Sequence, residues 1–109
     1  MRSKIMQKDE KGSGNGAKEP ASAWTFMTNH THILVCLHRD PSMTVRNMAL
    51  AVGITERSVQ RILGDLESSG VVTRSREGRR NRYDMNRDYQ LRHPLEARQS
   101  IRDLLELLG

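Results

Sequence analysis

Arg57, Gln60 and Arg61 stand three and four residues apart within Thr44 to Ser69, TVRNMALAVGITERSVQRILGDLESS. That spacing puts them on one side of a helix. A guanidinium can bond guanine O6 and N7 together, and a carboxamide can do the same to adenine. Arg74, Arg76, Arg79, Arg80 and Arg82 crowd a second segment in which Glu77 is the one acid. Guanidinium groups at that density suit phosphate. Thr55 and Ser58 fall where a helix would begin, and the free N–H groups of a helix start favour anions. With Arg46 just upstream, they complete a set of candidate phosphate contacts.

A different constellation lies earlier. His32 and Cys36 are four residues apart on one helical face, and imidazole with thiolate suits zinc, nickel or copper. His30 and His38 do not share that face, and no acidic or cysteine partner is supplied. We therefore read Cys36 as a buried small hydrophobe and expect no metal or other cofactor. There is no HExxH, no nucleophile elbow and no phosphate-binding glycine loop, so no enzyme is expected.

Several elements must position the arginines. Val59, Ile62, Leu63 and Leu66 follow the i, i+3, i+4, i+7 spacing of a buried face, opposite Arg57, Gln60, Arg61 and Gly64. This helix runs from about Glu56 to Ser69, capped by Thr55 and ended by Gly70. A shorter helix, Val45 to Val52, precedes it with Thr44 as its cap, and Gly53 makes the tight turn between them. Upstream, Asn29 to Arg39 reads as a strongly apolar helix ended by Asp40-Pro41. Met43-Thr44-Val45 has the composition of a minimal strand. Trp24, Phe26 and Met27 are expected to pin the start of the domain against its core. After Gly70 the period falls from 3.6 to 2, and two short strands joined at Gly78 make a hairpin. Because strands alternate faces, Arg74 and Arg76 need not act as Arg80 and Arg82 do. Asn81 reads as a turn residue and Tyr83 as a packed strand residue. Pro94 can open a last helix, Leu95 to Leu108, with Ile101, Leu104, Leu105 and Leu108 as a dimerisation stripe.

The fold class is thus mostly α with a small β-hairpin, an α+β winged helix-turn-helix with an additional C-terminal helix. Residues 1 to 22 read as a flexible basic tail, 23 to 93 as the winged domain and 94 to 109 as the terminal helix. The chain of 109 residues carries a formal net charge of +5, which favours an anionic partner. One cysteine excludes an intrachain disulfide, and no apolar run is long enough for a membrane span, so the default location is cytoplasmic.

Three motifs carry a family resemblance. They are A-x-x-V-G-I-T at Ala49 to Thr55, S-V-Q-R-I-L-x-D-L-E-x-x-G at Ser58 to Gly70, and G-R-R-N-R-Y at Gly78 to Tyr83. With them, residues 24 to 85 resemble the winged-helix DNA-binding domain of bacterial and archaeal transcription regulators of the MarR-like and ArsR-like kind. The resemblance implies a sequence-specific regulator that binds double-stranded DNA as a homodimer. The helix from Thr55 to Ser69 would enter the major groove, and the wing at 74 to 83 would lie on the backbone or minor groove. It names no operator, no direction of regulation and no effector, although a small-molecule effector remains compatible with it. The paired cysteines of ArsR-like metal sensors are not present. Two other functions fit the same fold: a winged helix used for protein–protein interaction, and a non-specific architectural DNA binder.

Overall fold

The computed structural model describes residues 24–109; the tail expected at residues 1 to 22 lies outside the described residues. Elements follow in the order α1 (Asn29–Arg39), α2 (Val45–Val52), α3 (Glu56–Ser68), β1 (Val72–Glu77), β2 (Arg80–Met85) and α4 (Ile101–Leu108). This is the expected α+β fold, a helix-turn-helix followed by a two-stranded wing and a terminal helix.

Local chemistry sets the helix starts. Thr28, Thr44 and Thr55 each hold extended backbone and accept a hydrogen bond from the N–H three residues on. Such caps satisfy donors that a helix start leaves unpaired. Between α2 and α3 the chain reverses at Gly53, whose φ of 85° lies in the left-handed region open to glycine. The N–H groups of Gly53 and Ile54 both donate to the Ala49 carbonyl, which closes α2 and aims α3 across it. At the far end of α3, the Val71 N–H donates to the Leu66 carbonyl and the Gly70 N–H to that of Glu67. These two bonds terminate the helix and release the chain into β1.

The core is built where three helices meet. Ile33 and Leu37 of α1, Met48 of α2, and Val59 and Ile62 of α3 are the largest fully buried side chains. Val71, Val72 and Tyr83 extend this core under the wing, and Ile101 and Leu105 close it from α4. Cys36 is buried, as its setting in an apolar helix implied.

Three expectations are corrected. Trp24 and Phe26 do not enter the core: they are 62% and 89% exposed and pack edge-to-face on each other, with ring centroids 4.8 Å apart. The core is built without them, from side chains of the four helices and the wing. Met43 to Val45 forms no strand; among the described residues the sheet has two strands, and the one backbone–backbone bond from the adjacent turn to the wing runs from the Tyr83 N–H to the Pro41 carbonyl, at 2.9 Å. Val45 is already the first residue of α2, and the Thr44 carbonyl accepts the Met48 N–H. Finally, the last helix begins at Ile101 rather than Leu95. Residues 93–98 form turns, and Gln90 pairs with Ser100 in a single antiparallel bridge that holds the chain extended there. Ser100 and Asp103 then form a reciprocal capping box that opens α4.

Two measurements test this account. Replacing Met48 by Ala should cost about 2–5 kcal/mol of unfolding free energy, whereas Leu50→Ala, at an exposed position on the same helix, should stay within about 0.5 kcal/mol. Denaturant titration reads both. Burial also lowers the His32 imidazole pKa. As pH falls, the unfolded chain takes up this proton before the native chain does. The native state should therefore lose stability below about pH 6.5, levelling off beneath the lowered native value. Stability curves of His32→Gln should run flatter than the parent's across that window.

Candidate nucleic-acid interface

The face of α3 opposite the core is polar. Arg57, Gln60 and Arg61 are all exposed on it, one helical turn apart at most. Burial of Val59, Ile62, Leu63 and Leu66 leaves the helix no other orientation, so the three side chains project together. Arg46 is exposed on α2. Thr55 and Ser58 are more constrained than their position suggests. The Thr55 hydroxyl oxygen accepts from the Ser58 N–H and its proton goes to Ser58 Oγ, both at 3.0 Å. Thr55 is thereby spent on capping, and the Ser58 hydroxyl keeps its own proton for an outside acceptor.

The wing divides its arginines between two faces. Arg74 pairs with Tyr83 and Arg76 with Asn81, so Arg74 and Arg76 share the side whose inner end is buried. Glu77 pairs with Arg80 and Ser75 with Arg82, and these occupy the opposite side with Asp84. The strands are joined at Gly78 and Arg79. Gly78 has a φ of 65° and no other wing residue has positive φ. That combination suits a two-residue hairpin turn with glycine first, and it puts Arg79 at the tip.

Most of these arginines already have partners. Arg74 Nε lies 3.3 Å from the Glu67 carboxylate of α3. Arg82 lies 3.4 Å from Asp84 and 3.9 Å from Glu77. Arg76 donates to the Asn81 side chain at 3.3 Å, which gives Asn81 a cross-strand role in place of the turn role expected. Arg80 donates to the Ser42 carbonyl at 3.2 Å. Among the described residues, Arg79 makes no ion pair. Exposed pairs of this kind are worth about 0–1 kcal/mol each, little enough for a phosphate to displace them.

Ser42 is the residue that sequence reasoning missed. Its hydroxyl donates to Glu77 at 3.0 Å while its carbonyl takes Arg80, so the turn after α1 grips both strands of the wing. No local spacing signals a contact across so much intervening chain. On α1, the His32 ring bonds Asn29 at 3.0 Å and Cys36 is buried beside it. Among the described residues no group of three His, Cys, Asp or Glu side chains is arranged to hold a metal ion. Within them, too, no helix is long and apolar enough to cross a membrane.

On the terminal helix, Ile101 and Leu105 are spent on the chain's own core, leaving Leu104 and Leu108 half-buried and Leu107 73% exposed. Against known proteins, no curated protein and no solved structure matches the chain. Residues 28–73, from the cap of α1 to the first residues of β1, match the family model described as winged helix-turn-helix DNA-binding.

Proposed function

We propose that this protein is a sequence-specific DNA-binding transcriptional regulator of the MarR-like or ArsR-like kind, acting in the cytoplasm. The observation that carries the reading is the solvent face of α3, where Arg57, Gln60 and Arg61 stand exposed on a helix whose other side is buried. In this reading α3 lies in the major groove, with those three side chains on base edges. Ser58, Arg46 and the wing contact phosphates, and Thr55 contributes by holding the helix start in shape. Arg79 at the tip and Arg80 and Arg82 behind it reach the backbone or a narrow minor groove. Arg74 and Arg76 join them once phosphate replaces Glu67 and Asn81 as partner.

The reading includes a homodimer. Leu104, Leu107 and Leu108 offer apolar area on the outer side of α4, and a second copy covering it would set two α3 helices on half-sites about one helical turn apart. Regulators of this kind take small-molecule effectors in some cases, and no such ligand is assigned to this chain.

Selection of bound duplexes from a random pool, at moderate salt, tests the reading. An inverted repeat is the expected product. A salt-sensitive interaction with no motif would mean an architectural DNA binder, and no binding would mean a protein–protein interaction module. Within the expected outcome, Arg61→Ala should relax the recovered motif and cost about 1–3 kcal/mol at the preferred site. Arg79→Ala and Arg80→Ala should instead weaken all sequences alike and lower the salt slope by about one each.

A further inference from the structure

Gly64 lies in the interior of α3, on the face that carries Arg57, Gln60 and Arg61. Glycine weakens a helix interior relative to alanine, so its presence there needs a reason. Two intramolecular reasons are available in general, and neither applies. Its φ is not among the positive glycine values of the described residues. A methyl group built on its Cα would meet no atom within 4 Å. Among the described residues, then, nothing accounts for glycine at 64.

The surroundings of Gly64 say what kind of surface would approach. Ser68, the next residue along this face, turns its hydroxyl back onto the Gly64 carbonyl at 2.7 Å and adds no relief of its own. The acids beside it are drawn to the flanks. Asp65 accepts from the His30 ring of α1 at 2.8 Å, and Glu67 is held by Arg74 of the wing. The second half of α3 is thus low and has its negative charge turned aside, while the first half carries two arginines and a glutamine. A flat surface whose flanking acids are each paired with a basic side chain, behind a row of candidate base readers, matches a polyanion lying close against the helix.

We infer that the DNA duplex packs directly on the backbone of α3 at Gly64, so that Gly64 fixes how deeply the recognition helix sits in the groove. This rests on the DNA-binding reading above and adds a positioning residue to it: Gly64 makes no base-specific bond, but its bare backbone lets Arg57, Gln60 and Arg61 reach base edges. A side chain at 64 would lift all three together.

The test uses the full chain, the parent's selected duplex, and the variants Gly64→Ala and Gly64→Met. Alanine and methionine both suit a helix, so thermal unfolding of the free protein should move up by a few degrees for each. Affinity should move the other way, falling about tenfold for alanine and further for methionine, as expected when a tight contact is overfilled. Opposite signs for stability and affinity are not what a purely structural role would give. If the parent binds its duplex and both variants bind it equally or more tightly, the inference is overturned and the DNA-binding reading stands. If the parent binds no duplex from the pool, the reading itself fails and takes the inference with it.

Discussion

Burial of Val59, Ile62, Leu63 and Leu66 against α1 and α2 decides which side of α3 meets solvent, and the rest of the interface follows from that choice. A helix has one rotational freedom about its axis, and an apolar stripe removes it. Arg57, Gln60 and Arg61 become neighbours in space because they lie opposite that stripe. The direction of α3 is set separately, at Gly53, where the left-handed backbone brings the chain out of α2 and across it. Rotation and direction together place the polar face, before any electrostatic interaction contributes.

Electrostatics then refines the wing. Five arginines within one hairpin repel one another, and the structure relieves that repulsion with Glu67, Glu77, Asp84 and two neutral acceptors. These partners are exposed, so they organise the guanidinium groups at little energetic depth. The wing is also held beside its turn through Ser42, and nearer its base through the Pro41 carbonyl. An anion arriving at the wing would meet side chains already extended and backbone already oriented, which reduces the ordering entropy of binding.

The terminal segment shows where local pattern misleads. Leucines at helical spacing and a proline that can open a helix read as one long element. The structure interrupts it because Gln90 pairs with Ser100 and the Ser100–Asp103 box supplies a later start. A capping signal was present in S-I-R-D, but the bridge that makes it decisive joins residues on either side of a loop. The same holds for Trp24 and Phe26: their apolarity was plain, and only the packed structure shows that the core is built without them.

Interactions within a few residues were fixed by sequence alone. The three threonine caps, the turn at Gly53, the buried stripe of α3 and the alternation of the wing all depend on backbone sterics and side-chain period, which need no distant partner. Tertiary structure alone decided the rest. It paired Arg74 with Glu67 and Asp65 with His30, set Ser42 under both wing strands, and divided α4 into Ile101 and Leu105 facing inward and Leu107 facing out. Those outcomes depend on which surfaces meet once the elements pack, a matter of shape and distance that residue spacing along the chain does not encode.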